Sequence, residues 1–516
     1  MRRTAFIFSC GLATLTATVP AVAGGVVHRP EGPDGAGDPD GDPDAPRPEH
    51  PYLRVLLGEF SFLGLQAAWY WGHQSPSESE IPFFTWSTWQ SKVFSDRYFA
   101  FDRDRFNTNA IGHPIAGTIY YQIARGNGLG VGTSFLTSVV ASTLWKYFGE
   151  PNQKLSINDL IVTPASGWVI GEATYRLGRL FADGEPSTVN CLGAALFSPV
   201  AALNDAPVCH GKRRGDAFDG RGFSRRIWHR LYFDLGAART SFDHDPAEDR
   251  DETIFGLAAR ITTHALYRQP GWGSSTARPG QWTDFGGRWF TDGRSISGGF
   301  LHADSLILGR YWRAYGEAIG PSGEPDGHGL LLGMGSSFDY DARSLPSIWD
   351  RTLAVGLLGP MVELAARHGG LAMRATLAAS YGFAQVTSLA YAEAASTFEN
   401  VTIKSVLKNQ GYYYAQGLLA FVEIEAELDD LRLTLNGRSQ SLWSINFRDD
   451  QQDTIQNNFS LRDTRVFLSA MASWQVFGGP VRLAAAFEDI IRDSKLPGHA
   501  VDADERRVLG LLSLVF

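Results

Sequence analysis

The stretch Phe421 to Arg438, FVEIEAELDDLRLTLNGR, alternates apolar and polar residues with a period of two on both sides of Asp429-Asp430. Val422, Ile424, Ala426 and Leu428 fall on one face and Glu423, Glu425 and Glu427 on the other. After the turn, Leu431, Leu433 and Leu435 alternate with Arg432, Thr434 and Asn436. This pattern predicts a tight hairpin with one apolar and one charged face, Glu427 lying across from Arg432. The same alternation recurs in RLYFDLGA from Arg230, in Thr464 to Val476 and in Pro480 to Ile490. Strands of about 8 to 12 residues separated by polar loops are what a transmembrane barrel requires.

A soluble sandwich alternates too, but three features favour a barrel. The chain ends RRVLGLLSLVF, with Phe516 terminal on an alternating last strand, a resemblance to the signal that engages the outer-membrane barrel assembly machinery. Aromatics such as Tyr232, Trp312, Tyr315, Trp443 and Trp474 fall near strand ends, where interfacial girdles lie. At the other end Arg2 and Arg3 precede an apolar run closed by Ala21-Val22-Ala23, the pattern of a secretory signal peptide over 1–23. From 226 to 516 the pattern predicts an antiparallel barrel of about 12 strands with outer-membrane lipid as its surroundings. Glu423, Glu425, Glu427, Arg432 and Arg465 are expected in its lumen.

The segment 24–51 is rich in Asp, Pro and Gly with little to bury, and is expected to be a disordered acidic linker. Between 52 and 225 the apolar residues recur at helical spacing, so the fold class is α+β: a helical domain, expected on the periplasmic side, followed by the barrel. Gly126 to Trp145 carries no charge and is just long enough to span a bilayer, but its Gly, Ser and Thr content suits a buried or interfacial helix at least as well. Small residues four apart at Gly112/Ala116 and Gly167/Gly171 let helix backbones approach closely. The net charge of -9 argues against nucleic acid as a partner. Cys191 and Cys209, the two cysteines beyond the signal, are expected to form a disulfide in an exported protein.

Phe106-Asn107-Thr108-Asn109, Gly112-His113-Pro114, Gly117, Tyr120-Tyr121, Ala124-Arg125 and Asn127-Gly128 together resemble the hallmark of an uncharacterised bacterial family catalogued as domain of unknown function 3943. The likeness continues through Leu144 to Glu150, Ser156 to Leu160, Gly171-Glu172 and Tyr175-Arg176, with a fainter match at Phe338-Asp339-Tyr340. Membership implies no activity. Lys146 stands where the family usually has an acidic residue before Tyr-Phe-Gly-Glu, which weakens a mechanism needing two carboxylates on that helix.

Two readings of the embedded polar residues are open. His113, Tyr121, Arg125, Glu172 and Arg176 form a buried network that fixes helix packing, or His113, Glu150, Asp159 and Glu172 converge as an acid/base or metal site. Ser156-x-x-Asp159 reads as a capping box and Glu172 to Arg176 as an i,i+4 pair. The spacings match no short metal motif, so no metal and no cofactor is assigned. Glu172 is the first partner expected for His113. Gly333 to Asp341, GMGSSFDYD, superficially suggests a serine nucleophile but reads better as a strand. The function expected is a structural or transport component of the envelope, with the helical domain capping or plugging the barrel; the alternative is an envelope enzyme acting on lipid or cell wall through the His/carboxylate cluster.

Overall fold

Ser156 sits just before the longest of the described helices and its Oγ accepts from the Asp159 N–H at 3.2 Å, which starts that helix where the sequence signal placed it. The computed structural model describes residues 49–73, 85–204, 218–224, 227–244, 247–317, 325–345, 348–398, 403–447, 460–476 and 478–516. The expected signal peptide, nearly all of the acidic linker and Cys209 lie outside them.

The helical module comprises α1 (Pro51–His73), α2 (Trp86–Phe94), α3 (His113–Gly126), α4 (Val131–Leu144), α5 (Ile157–Ala182), α6 (Thr188–Phe197) and α7 (Pro199–Asn204). A two-residue parallel pair, β1 (Phe99–Ala100) with β2 (Leu155–Ser156), ties the segment before α3 to the start of α5. Pro114 falls in the first turn of α3, where a missing N–H is harmless. Helices α3 and α5 cross at Gly117 and Gly167: a Cβ on Gly117 would lie 1.8 Å from the Thr163 carbonyl oxygen, and one on Gly167 2.4 Å from the Gly117 carbonyl oxygen. Gly112 faces open space, so of the small residues only some serve packing. The uncharged segment forms just the 14-residue α4, and no described helix is long and apolar enough to cross a membrane.

The barrel strands are β3 (Trp228–His244), β4 (Ala247–His264), β5 (Gly271–Ala277), β6 (Trp282–Thr291), β7 (Ile296–Tyr315), β8 (Gly327–Ser344), β9 (Trp349–His368), β10 (Leu371–Thr387), β11 (Tyr412–Leu428), β12 (Leu431–Ser444), β13 (Arg462–Gln475), β14 (Val481–Leu496) and β15 (His499–Val515). Every neighbouring pair is antiparallel, and β15 closes the sheet on β3. Strands β5 and β6 pair with successive halves of β7, so they share one wall position and the barrel has 12. The hairpin of β11 and β12 has the expected register, Glu427 opposite Arg432, and Asp429 takes the positive φ of 51° at its turn. Among the described strands closure leaves a free edge at the short β5, which pairs with β7 alone, and alternation sends one side chain set into the lumen and the other outward.

Outward residues such as Leu418, Leu435, Leu468, Phe487, Leu512 and Leu257 are exposed, as a lipid-facing belt requires. Trp312, Trp443 and Trp474 also point outward, but Tyr232 and Tyr315 are buried inside and belong to no girdle. The loop-side mouth is closed from within by the connection between β10 and β11, which carries α8 (Leu389–Ala394) and α9 (Ser405–Gln410). Leu389, Ala390, Tyr391, Ile403 and Leu407 share a core there with Tyr413, Ala415, Leu442 and Val501.

The helical module neither caps nor plugs the barrel; it lies against the outer wall, which corrects the expectation. Val162, Ala165, Val169 and Ala173 of α5 share a core with Ala303, Phe338, Leu353, Val355 and Phe383. Each of those strand residues has the outward phase, since its neighbours Asp304, Asp339, Ala354 and Ala384 point inward. Toward its C-terminus α5 adds Leu177, Leu180 and Phe181 to a core with Leu231 and Ile261, again outward residues near the strand ends that adjoin the chain terminus. The apolar stripe of the helix thus covers this part of the wall.

Candidate functional site

Three segments of the module and one strand of the wall meet around Lys146. The turn after α4 supplies Lys146 and Glu150, the start of α3 supplies His113, and the start of α5 supplies Asp159. Lys146 Nζ pairs with both Glu150 and Asp159, while His113 Nε2 lies 3.0 Å from Asp159 Oδ1. The Trp145 indole N–H donates to Glu150 Oε1 at 2.9 Å, and Lys92 Nζ donates to the carbonyls of Lys146 and Glu150, each at 2.7 Å. Asp159 therefore spends its carboxylate on Lys146 and His113 and not on the reciprocal half of a capping box.

Beside this group Asp102 accepts from Asn109 at 2.9 Å, Ser156 at 2.7 Å, Asn158 at 2.9 Å and the Tyr414 hydroxyl at 2.7 Å. Tyr412 and Tyr414 are outward residues of β11, and Tyr412 donates to the Asp104 carbonyl at 2.7 Å. The polar cluster is thereby bonded to the barrel wall. Burial pushes the His113 imidazole down to about 4, assisted by the Lys146 charge, so it is neutral at pH 7. Burial opposes charge on Lys146, but Asp159, Glu150 and Asp102 outweigh it and hold the ammonium well above its ordinary range. A neutral imidazole beside a carboxylate, with 15% of its side chain exposed, is chemically able to accept a proton.

Glu172 is not part of this cluster. It accepts from Tyr121 at 2.7 Å, from Arg125 at 2.9 and 3.3 Å and from Arg176 at 2.8 Å. Burial pushes its carboxyl up, but Arg125 and Arg176 with the Tyr121 hydroxyl outweigh that and hold it at about 2. Arg125 also stacks on Tyr175, 4.5 Å from the ring centre. The Arg176 guanidinium donates to the Pro279 carbonyl at 2.7 Å, in the break between β5 and β6. A Cβ on Gly280 there would lie 2.6 Å from Arg176 and 2.8 Å from Glu172, and its φ of +70° suits glycine. The interrupted strand is thus where this ion pair seats on the wall.

The lumen is filled by ion pairs. Arg374 bonds Glu423 at 3.1 Å and Glu425 at 3.0 Å, Arg260 bonds Asp284, and Arg438 joins Asp304 and Asp339 at 2.5 and 2.7 Å. Arg465 and Arg492 share Asp350, and Glu505 holds Arg343, Arg492 and Arg507. Arg432 pairs with Glu427 at 3.0 Å. Asp284, His302 and Asp304 each place a ligand-type atom within 4.8 Å of the others, but Arg260 and Arg438 already neutralise the two carboxylates. Phe516 closes the ring through paired backbone bonds with Leu231 at 2.9 Å.

Sequence reasoning brought together His113, Glu150 and Asp159 but misassigned Glu172, and it read Lys146 only as a departure. Asp102, Asn158, Tyr412 and Tyr414 escaped it. For the tyrosines a signal existed: three consecutive tyrosines, Tyr412 to Tyr414, open the strand whose Glu423 and Glu425 were expected in the lumen, and that phase sends Tyr412 and Tyr414 outward. In Gly333 to Asp341 the strand places Phe338 against the module and Asp339 against Arg438. Cys191 is disulfide-bonded, its expected partner Cys209 lying outside the described residues.

Residues 98–200 match the family described as Domain of unknown function (DUF3943), and no curated protein matches the chain. Among solved structures, the toluene transporter TodX of P. putida is similar over 56% of this chain and 90% of its own, at 8% identity and a TM-score of 0.21. The translocator domain of the autotransporter NalP from Neisseria meningitidis is similar over 55% and 88%, at 10% identity and a TM-score of 0.18. The outer membrane channel DcaP of Acinetobacter baumannii is similar over 56% and 97%, at 10% identity and a TM-score of 0.19.

Proposed function

Since residues 98–200 are a DUF3943 domain and the strands form a closed membrane-type barrel, we propose that the protein is a structural component of the bacterial outer membrane, a non-conducting barrel whose wall holds a helical module. The observation that carries this reading is the packed lumen. Arg343 on β8 reaches Glu505 on β15 at 3.0 Å, Arg438 on β12 reaches Asp304 on β7, and Tyr232 on β3 reaches Glu425 on β11 at 2.9 Å. These bonds cross the bore between strands that are not neighbours. Cavities between them hold about 170 Å³ beside Arg260 and His302 and about 70 Å³ beside Arg465 and Arg492, and the loop-side mouth carries the apolar cap. Lipid is the partner of the outward belt. Leu53, Leu56, Leu57 and Phe60 of α1, Leu136 and Val140 of α4, and Leu192 and Leu196 of α6 extend an exposed apolar surface over the module. The alternating last strand is the part offered to the assembly machinery. Refolded protein in a planar bilayer is expected to be electrically silent; steady single-channel conductance sinks the reading. An Arg343→Ala/Glu505→Ala/Arg438→Ala/Asp304→Ala variant, with two of these three crossing bonds removed, is the positive control.

A second reading, an envelope enzyme acting on lipid or cell wall, is favoured by one observation: the neutral, partly exposed His113 held 3.0 Å from Asp159. Proteoliposomes of outer-membrane phospholipid, followed by thin-layer chromatography, test its lipid form. Turnover lost in His113→Gln supports it, and the same lipid composition with wild type and variant removes it.

A further inference from the structure

At the barrel end that adjoins the chain terminus, the lumen opens into a vestibule of about 480 Å³. Among the described residues its lining includes Arg221, Arg230, Arg268, Arg367, Arg432 and Arg482, against one carboxylate, Glu427. Glu427 is divided among Arg230 at 3.0 Å, Arg432 at 3.0 Å and Arg482 at 3.1 Å. Arg230 draws further on Glu425 at 2.8 Å, and Arg367 lies 4.0 Å from Asp326. Guanidinium groups do not discharge at any physiological pH, so the repulsion among them is not relieved by losing a proton. The Arg432 side chain is 4% exposed, and its buried Nε has no hydrogen-bond partner. A buried donor left unmade at the rim of a positive cavity points to a missing acceptor.

We propose that this vestibule binds a phosphate group. A tetrahedral dianion offers several guanidinium forks an oxygen each, which a single carboxylate such as Glu427 does not. The cavity is larger than inorganic phosphate, so it admits a diphosphate or a phosphate ester. The group has two sources, a soluble phosphate compound or a lipid headgroup at the membrane surface where this mouth opens.

The test uses the full chain purified in a maltoside detergent and native mass spectrometry with added inorganic pyrophosphate or phosphatidic acid. A one-to-one adduct with either ligand supports the site, pyrophosphate alone marking a soluble source and phosphatidic acid alone a headgroup. Adducts with neither overturn it. Arg268→Gln/Arg367→Gln is expected to weaken the adduct at least tenfold while keeping the heat-modifiable gel mobility of a folded barrel. Glu427→Gln, which removes the competing acid, is expected to tighten it severalfold. Binding that neither variant changes overturns the assignment.

Discussion

Arg125 and Glu172 meet between α3 and α5 with Nε 2.9 Å from one carboxylate oxygen and Nη2 3.3 Å from the other, both side chains at most 1% exposed. The pair is bidentate, and Tyr121 and Arg176 satisfy the same carboxylate. Removing one partner leaves the other charge buried. Glu172→Gln is therefore expected to destabilise the module by about 3–5 kcal/mol. Hydrogen exchange of α3 and α5 amides measures this, and the barrel strands serve as the unchanged reference. Protection that stays at the wild-type level rejects it.

Gly117 is where the backbones of α3 and α5 touch. Gly117→Ala is expected to force the helices apart at a cost of about 1–3 kcal/mol, because Thr163 contributes an immobile backbone oxygen and not a flexible side chain. Gly112→Ala meets open space and is expected to be neutral or stabilising in its helical setting. Limited proteolysis of the module compares the two.

Acid acts on the module in two windows. His113, held at about 4 against an ordinary 6.5, takes up a proton less readily when folded, so its contribution is intact above pH 6.5 and is lost as pH falls to about 4. The full loss is about 3 kcal/mol. Glu172, held at about 2 against 4.5, contributes above pH 4.5 and loses that as pH falls toward 2. His113→Gln is expected to flatten the upper window and leave the lower one, as read by hydrogen exchange of α3 across the range.

Glu505 joins arginines from β8, β14 and β15 inside the lumen. Glu505→Gln is expected to lower barrel stability by about 3–5 kcal/mol, measured by urea unfolding of the refolded protein. Arg506→Gln on the exposed side, 61% exposed and 3.5 Å from Asp489, is expected to change it by less than about 1 kcal/mol.

The sequence by itself determined the barrel. A side chain period of two is a local property of each strand, so Glu423, Glu425 and Glu427 were placed opposite Val422 and Ile424 without knowledge of any neighbour. The hairpin register followed from Asp429-Asp430, and the helix start at Ser156 from its side-chain cap. Partners distant in sequence were decided only by the tertiary structure. His113 and Glu172 share a helical region, yet α3 and α5 cross at Gly117 and Gly167 with His113 toward Asp159 and Tyr121 toward Glu172, so one crossing separates what spacing had joined. The site of the module was decided the same way. An apolar helical stripe fits a barrel rim, a lumen or an outer wall equally well, and only the outward phase of Phe338, Leu353 and Phe383 against α5 selects the wall.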